Sequence, residues 1–327
     1  MANPSADTTT ASSAITLDRA RGALLGLAVG DALGATLEFE PRDAHPHHTE
    51  MLGGGPYILA PGQWTDDTAM ALALADSLLA AREQGAPGDF NPRDLAERFV
   101  AWWRKGEYSC TGSCFDIGMT TAAALARFEQ TGDPYAGSSN PRDAGNGSVM
   151  RVAPVALFAL DDAEAADRSA RDQSLITHAA PQAVEACAFF VQLLRAAIQG
   201  QTDVLRPRDW AGDAAIRAIA TGSWRSKPRS EIRSTGFVID TLEAALWSIG
   251  STDSFEDALV LAVNLGGDAD TVGAVTGQLA GALYGACAIP ERWLMPLAWR
   301  DRIAATADQL LSDRSSRHAL EGASPGC

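Results

Sequence analysis

Two short acidic clusters contain the residues best suited to do chemistry. Residues 63–68 (QWTDDT) and residues 266–271 (GGDADT) each combine paired aspartates with threonine, and each leads directly into an apolar run. Helix capping is one interpretation, because Thr and Asp at a helix start accept hydrogen bonds from its free N–H groups and suit its dipole. Metal coordination is the other.

The absence of neighbouring positive charge favours metal coordination. Neither residues 55–80 nor residues 252–290 contain Lys, Arg or His. Two carboxylates about 4 Å apart repel by about 4 kcal/mol at an effective dielectric of about 20, and a cap needs only one of them. Oxygen ligands suit Mg²⁺, Mn²⁺ or Ca²⁺ rather than Zn²⁺, and two converging clusters could hold a pair of metals.

Two other metal-site patterns do not fit. A calcium-binding EF-hand loop starting at Asp268 would need oxygen ligands at its fifth and twelfth positions, which are Val272 and Leu279. Cys110 and Cys114 have no second Cys or His pair at zinc-finger spacing, so we interpret them as ordinary thiols.

Three further polar positions each have a structural and a functional interpretation. The turn at residues 145–147 (GNG) could cradle an anion with free backbone N–H groups, helped by Arg151, or could be a plain turn capped by Ser148. His178 could be a hydrogen-bonded structural residue or a ligand contact. Asp116 could be only a helix cap.

Helices must position these residues. From residue 17 onward apolar residues recur three and four apart, we find no clear alternating strand of five or more residues, and breakers such as Pro41, Pro92 and Pro181 come at fairly even intervals. The sequence therefore predicts an all-α fold, a single compact domain of roughly a dozen helices.

Two predicted helices carry a glycine at every fourth position, so the glycines of each helix form one stripe. Glycine inside a helix costs about 1 kcal/mol relative to alanine, and the stripes therefore indicate close approach of another backbone. We expect two central helices that could pack against each other. The stripes are Gly22, Gly26, Gly30 and Gly34, and Gly273, Gly277, Gly281 and Gly285.

The predicted domain covers residues 17–312, with a disordered tail at residues 1–16 and a flexible tail at residues 313–327. Residues 271–290 contain no charged residue and have the length of a membrane span. Their Gly, Thr and Gln content, and the acidic residues beside them, favour a buried helix instead.

Composition and charge narrow the class of protein. Hydrophobic residues make up 46% and charged residues 20% of the 327 residues, which is ordinary for a folded globular chain. A formal charge of −15 disfavours nucleic-acid binding. With five Cys and no charged-then-apolar leader, we expect a cytoplasmic protein. We also expect a monomer without a membrane span.

Six motifs occur in order along the chain: GDALGATLE (30–38), WTDDTAM (64–70), CFDIG (114–118), GNGSVMRVAP (145–154), ITHAAP (176–181) and NLGGDADTVGAVTG (264–277). Together they resemble the ADP-ribosylglycohydrolase family, above all its bacterial ADP-ribosyl-dinitrogen reductase glycohydrolases, over about residues 17–312. The resemblance implies an all-helical fold around a central cleft with a binuclear Mg²⁺ or Mn²⁺ centre. It also implies hydrolysis of the bond between ADP-ribose and a modified side chain of a protein, which releases ADP-ribose.

The resemblance implies roles for individual residues as well. Glu38 is similar to a mobile carboxylate near the centre and Asp116 to an acidic residue beside the distal ribose, so either would handle protons, and Asp67 and Asp270 would also be catalytic. The implied metal ligands are Thr65, Asp66, Asp67, Asp268, Asp270 and Thr271. The implied substrate contacts are Asp116, Gly145, Asn146, Gly147, Arg151, His178 and Phe237.

Some functional details stay open. Phe237 stands where relatives often have Tyr, and Phe cannot donate that hydrogen bond. Whether Arg151 meets substrate or braces the turn is undecided. Arginine is the first choice of acceptor, with serine-linked or nucleic-acid-linked ADP-ribose as alternatives. A non-catalytic ADP-ribose-binding relative and a metal-dependent phosphohydrolase are the competing functions.

Overall fold

Helices account for the regular structure of the protein. A computed structural model describes residues 4–84 and 90–312, with only the backbone described for residues 4–12. Thirteen α-helices lie in these residues, where extended pairing is limited to three isolated bridges. The predicted all-α fold is confirmed. The helices are α1 (Pro4–Gly34), α2 (Asp66–Glu83), α3 (Pro92–Lys105), α4 (Met119–Thr131), α5 (Ala153–Phe158), α6 (Ala163–Leu175), α7 (Pro181–Ile198), α8 (Ala214–Ala220), α9 (Val238–Gly250), α10 (Phe255–Val263), α11 (Ala269–Tyr284), α12 (Glu291–Leu294) and α13 (Arg300–Leu311).

Helices α1 and α11 form the central pair, as the two glycine stripes predict. A Cβ atom on Gly30 would collide with the carbonyl oxygen of Gly273, so only glycine allows the two backbones this approach. The order of contacts makes the pair antiparallel: Gly22 meets Gly281, Gly26 meets Gly277, Gly30 meets Gly273, and Gly34 meets Ala269.

The close packing of α1 on α11 has a consequence for the acidic clusters. Gly34, the last residue of α1, lies against Ala269, the first residue of α11. A short 3₁₀ segment, Ala35–Leu37, then leads the chain to Glu38. The end of α1 is therefore held beside the second acidic cluster.

Helix α1 begins at Pro4, earlier than the predicted start of the folded domain at residue 17. Extending a helix adds one hydrogen bond for each residue fixed, so an Ala- and Thr-containing segment can continue a helix that the core already holds. The predicted domain boundaries remain predictions. Residues 1–3 and the predicted tail at residues 313–327 lie outside the described residues.

One described stretch, Ser13–Leu37, is long and apolar enough to cross a membrane by length and composition alone. However, 89% of its most apolar window is buried inside the protein, as expected of a core helix. Helix α11, which contains most of the uncharged run at residues 271–290, is also buried along most of its length.

Candidate metal centre and substrate cavity

The N-termini of α2 and α11 meet in the interior. Thr271 Oγ1 lies 3.4 Å from Asp67 Oδ2. Thr65 Oγ1 lies 3.4 Å from Asp270 Oδ2. All four residues are buried. The two acidic clusters, about 200 positions apart in the sequence, therefore form one site.

Helix α2 is capped by a carboxylate from another helix rather than by its own cluster. The side chain of Thr65, its N-cap residue, makes no capping hydrogen bond. Instead Asp31 of α1 accepts hydrogen bonds from the backbone N–H groups of Thr65, at 2.8 Å, and Thr68, at 3.0 Å. It also accepts from both threonine hydroxyls. Capping therefore does not account for Asp66 and Asp67.

Helix α11 is arranged in the same way. The side chain of its N-cap residue, Asp268, makes no capping hydrogen bond. The backbone N–H of Ala269 donates to Glu38 Oε2 at 2.9 Å. Glu38 thus holds the start of α11, and the carboxylate of Asp268 faces the interior of the site.

Two sets of three carboxylates come close enough to hold a cation each. Within each set, one carboxylate oxygen from every residue lies within 4.8 Å of the others, and Asp270 belongs to both sets. A shared carboxylate places the two sets side by side. The sets are Asp31, Asp67 and Asp270, and Glu38, Asp268 and Asp270.

Burial and crowding oppose ionisation of these groups. Burial raises the pKa of Asp31 to about 6. Burial, with the charges of Asp268 and Asp116, raises the pKa of Glu38 to about 8. The pKa values of Asp67 and Asp270 are raised well above the usual range, first by burial and then by neighbouring carboxylates.

The donor set fits divalent cations. Among the described residues, none of these carboxylates forms an ion pair with Lys, Arg or His. Asp67 Oδ1 is buried and has no hydrogen-bond partner, which is costly unless something positive approaches it. Carboxylate and hydroxyl oxygens are hard ligands of the kind that Mg²⁺ and Mn²⁺ prefer.

A cavity of about 850 Å³ opens above this centre. Cavities of this size accommodate small-molecule ligands and cofactors. Many predicted site residues line it together, although they come from six separate motifs. They are Glu38, Asp66, Asp116, Gly145, Asn146, Gly147, His178, Asp268, Asp270 and Thr271. Thr65 and Asp67 do not line the cavity and lie buried beneath it.

Asp116 is held at the cavity wall by a residue that sequence analysis missed. The Tyr57 hydroxyl donates a hydrogen bond to Asp116 Oδ1, and the Tyr57 ring lies 5.2 Å from that of Phe115. Burial raises the pKa of Asp116. Asp116 has a φ of 58° and is not the N-cap of α4, which is Gly118, so the interpretation of Asp116 as only a cap is wrong.

The turn at residues 145–147 has fewer free donors than its sequence suggests. The N–H of Gly145 donates to Asp143 O at 2.8 Å, and the N–H of Asn146 donates to Gly236 O at 3.1 Å. The side chain of Asn146 donates to Asp268 Oδ2 at 2.7 Å, so it also orients a candidate metal ligand. An anion could use only the Gly147 N–H, because the rest of the turn is already hydrogen-bonded.

The Ser148 cap that we considered is absent from the described turn. Ser148 Oγ instead lies 2.8 Å from Ser174 Oγ and donates its proton to it, because the single hydroxyl proton of Ser174 goes to His178 O. The N-cap of the next helix, α5, is Val152. Ser148 therefore ties the turn to the end of α6 rather than starting a helix.

Arg151 does not reach the cavity. Its side chain is fully buried, donates to Gln173 and Thr177, and stacks at 4.5 Å on the ring of Phe99. The contacts support bracing of the turn and its neighbours rather than the predicted substrate contact. Its guanidinium group is hydrogen-bonded to these protein partners and is not exposed to the cavity.

Phe237 also lies outside the set of cavity-lining residues. It pairs with Gly145 in an isolated antiparallel bridge, which places its two predecessors, Thr235 and Gly236, at the cavity instead. The structure therefore gives the backbone of Phe237 a role in holding the turn, and the contact of its side chain with substrate stays a prediction.

The thiols near the site match the prediction that they are ordinary. Cys110 and Cys114 are free. Burial raises the pKa of each to about 11, so both stay protonated near neutral pH.

Two of the residues that sequence analysis missed differ in the signal they leave. Asp31 follows Gly30 in the glycine-striped helix, so the stripe itself indicates that its surroundings are packed. Tyr57 lies in a turn without periodicity, and no local pattern indicates its contact with Asp116.

The fold and the site define an all-helical protein with a buried carboxylate centre at the floor of a ligand-sized cavity. The chain belongs to the ADP-ribosylglycohydrolase family, whose model matches residues 12–319.

Individual relatives agree with this assignment. The chain is 45% identical over 296 residues to ADP-ribosylarginine hydrolase Tri1 of Serratia proteamaculans, covering 90% of this chain and 79% of the relative. It is 37% identical to ADP-ribosyl-[dinitrogen reductase] glycohydrolase of Rhodospirillum rubrum, covering 86% and 90%. A solved structure described as an ADP-ribosylglycohydrolase-related protein complex superimposes with a TM-score of 0.79 at 42% identity, covering 91% of this chain and 98% of that one.

Proposed function

We propose that this protein is a metal-dependent hydrolase that removes ADP-ribose from arginine side chains of modified proteins and releases free ADP-ribose. Arginine is preferred because the names of two relatives at 45% identity specify ADP-ribosylarginine. The observation that carries the proposal is the convergence of two Thr/Asp clusters beneath a cavity that also gathers the 145–147 turn and His178.

The residues of the two clusters would hold two divalent cations, Mg²⁺ or Mn²⁺. When bound, such ions polarise a ligand oxygen and lower the pKa of a water molecule, so that hydroxide is available near neutral pH. The proposed ligands are Thr65, Asp66, Asp67, Asp268, Asp270 and Thr271. Asp31 belongs to one of the two carboxylate sets but is not among the proposed ligands, because its four hydrogen bonds to Thr65 and Thr68 would instead fix the start of α2.

Glu38 and Asp116 are the proposed proton-handling residues. Both carboxylates line the cavity, and burial raises the pKa of each, which makes each able to hold a proton nearer neutral pH than an exposed carboxylate would. Tyr57 would orient Asp116 through its hydroxyl.

The acidic centre is compatible with an anionic substrate. The Gly147 N–H and the ring of His178 would face the diphosphate and ribose, while the metals supply positive potential at the other end of the cavity. Asn146 would act mainly by orienting Asp268. None of the proposed metal ligands is missing, whereas a non-catalytic binding protein would be expected to show gaps in this set.

The proposal is tested with a panel of defined substrates. Proteins or peptides carrying ADP-ribose on arginine or serine, and ADP-ribosylated nucleic acid, are incubated with the enzyme in Mg²⁺, Mn²⁺ or a chelator, and products are separated by chromatography. We expect free ADP-ribose from the arginine-linked substrate, abolished by the chelator. AMP as product would indicate a phosphohydrolase, and no product from any substrate would indicate a binding protein.

A further inference from the structure

A hydrogen-bonded chain of three residues runs from the interior to the cavity. Arg151 Nη2 donates to Thr177 Oγ1 at 2.9 Å. Thr177 Oγ1 lies 2.8 Å from His178 Nδ1. Arg151 and Thr177 are fully buried, and His178 is 3% exposed and lines the cavity.

The chemistry of the donors sets the direction of this chain. A guanidinium group only donates, so Thr177 Oγ1 must be the acceptor for Arg151. The hydroxyl then has one proton left to place. Among the described residues, His178 Nδ1 is the one acceptor found for it. Nδ1 must therefore be the unprotonated ring nitrogen, since the other tautomer would leave a buried hydroxyl proton without a partner.

We propose that Thr177, held by Arg151, is a positioning residue that fixes His178 as the Nε2–H tautomer, so that the imidazole donates a hydrogen bond into the substrate cavity. The donor would serve a phosphate or ribose oxygen of ADP-ribose, and this last step rests on the proposed function.

The position of Nε2 supports a role in donating a hydrogen bond to a ligand in the cavity. A Cβ atom added to Gly145 or Gly147 would lie 3.1 Å from Nε2, so the ring edge lies directly against the 145–147 turn. Nε2 itself has no hydrogen-bond partner within residues 4–84 and 90–312. The glycines thus leave room for the ring, and its second nitrogen is free to meet a ligand.

The backbone around His178 is fixed as well. Its N–H donates to Ser174 O at 2.6 Å, and the Ser174 hydroxyl donates to His178 O at 2.7 Å. These bonds hold the ring at the end of α6. With the ring held in place, the nitrogen that carries the proton decides whether His178 donates a hydrogen bond into the cavity.

The charge of the ring makes tautomer control necessary. Burial, and then the charge of Arg151, lowers the pKa of His178 to about 3, so the ring is neutral at working pH. A protonated imidazole would donate from both nitrogens and would need no selection. A neutral one donates from only one, and Thr177 selects which.

The tautomer is measured directly by long-range ¹H–¹⁵N NMR of the full chain at pH 7.5 without substrate. The chain has five His, and His178→Gln assigns the signal. We expect wild type to show a protonated Nε2 and an unprotonated Nδ1. A protonated Nδ1 in wild type would overturn the proposal without any variant.

Variants of Thr177 test the link to catalysis. Thr177→Val removes the hydroxyl, and we expect a mixed or Nδ1–H tautomer and a KM for the ADP-ribosylated substrate raised roughly ten- to hundredfold, with a smaller change in kcat. Thr177→Ser keeps the hydroxyl and should restore both readouts. Thr306→Val is the matched control, since this buried hydroxyl bonds to Arg302 O in α13, at 2.9 Å, and should change neither.

The two readouts separate failure of this proposal from failure of the proposed function. An unchanged tautomer and KM in Thr177→Val would refute the positioning role. A wild-type enzyme that hydrolyses no ADP-ribosyl linkage would refute the proposed function, while the NMR spectrum would still decide the tautomer.

Discussion

Thr271 Oγ1 lies 3.4 Å from Asp67 Oδ2, although 204 positions separate the two residues in the chain. This contact joins the first turns of α2 and α11. It exists because the two glycine stripes hold α1 against α11, while Asp31 of α1 holds the start of α2. The central helix pair therefore positions both halves of the candidate metal centre.

Replacing one central carboxylate should stop turnover without unfolding the protein. For Asp67→Asn and Asp270→Asn we expect release of ADP-ribose to fall by roughly a hundredfold or more, because each change removes a proposed metal ligand. Helical content by circular dichroism should stay nearly unchanged. Asp76→Asn, a change at a partly exposed ion pair with Arg302, is the control. Normal activity in either central variant would refute the metal assignment.

The stability of the metal-free protein should depend on pH through Glu38. Its pKa is raised from 4.5 to about 8 in the folded state. The folded protein holds a proton that the unfolded chain loses, so this contribution to stability is present below about pH 4.5 and is lost as pH rises to about 8. In chelator, wild type should lose more thermal stability between pH 5 and pH 8 than Glu38→Gln does.

Divalent cations should counter that loss. Adding Mg²⁺ or Mn²⁺ at pH 8 should raise the melting temperature of wild type more than the same addition at pH 5, because cations compete with protons for the carboxylates. Equal losses in wild type and Glu38→Gln, with no pH-dependent effect of cations, would show that Glu38 is not part of a proton-sensitive cation site.

The close packing of the two glycine stripes predicts that replacing one of these glycines by alanine lowers stability. Gly→Ala at a helical position ordinarily stabilises by up to about 1 kcal/mol. Gly26→Ala should instead destabilise by roughly 1–3 kcal/mol, because its Cβ would overlap the carbonyl oxygen of Gly277. Gly118→Ala, where a Cβ meets nothing within 4 Å, is the control for urea unfolding. Equal stability of the two variants would contradict the close packing of α1 on α11.

Tyr57 should affect catalysis through Asp116. Tyr57→Phe removes the hydroxyl that donates to Asp116 Oδ1 while keeping the ring beside Phe115. We expect kcat to fall about tenfold, the effect of one hydrogen bond to a charged group, with little change in melting temperature. Tyr284→Phe, at the end of α11 and away from the cavity, should leave kcat unchanged. An unchanged kcat in Tyr57→Phe would mean either that Asp116 takes no part in the reaction or that the Tyr57 hydroxyl does not orient it.

Features that depend on spacing were accessible from the sequence. Helical periodicity predicted the fold class, and the glycine stripes predicted that two helices could pack because glycine in a helix needs a steric reason. The missing countercharge around Asp67 and Asp270 set these carboxylates apart, and the structure brings their two clusters together. Features that depend on tertiary partners were not accessible. The sequence left open whether Arg151 meets substrate or braces the turn, because its partners lie elsewhere in the chain: Gln173 is in α6, and Thr177 follows the end of that helix.

The same limit explains the turn at residues 145–147. Its composition suggested free N–H donors, but Gly236 O accepts from Asn146, and that partner is 90 positions away. Asp31 and Tyr57 act on residues of other segments, and although the glycine stripe indicates packing around Asp31, no local pattern indicates which partner either residue has. Their roles follow only from the packed structure.

Mn²⁺ binding followed by electron paramagnetic resonance shows whether the protein holds a pair of cations. Titration of the metal-free protein should reach two Mn²⁺ per chain with magnetic coupling between them, because the two carboxylate sets share Asp270. Asp270→Asn should abolish the coupled pair. Binding of no Mn²⁺, or binding that Asp270→Asn leaves unchanged, would contradict a two-cation centre at these carboxylates.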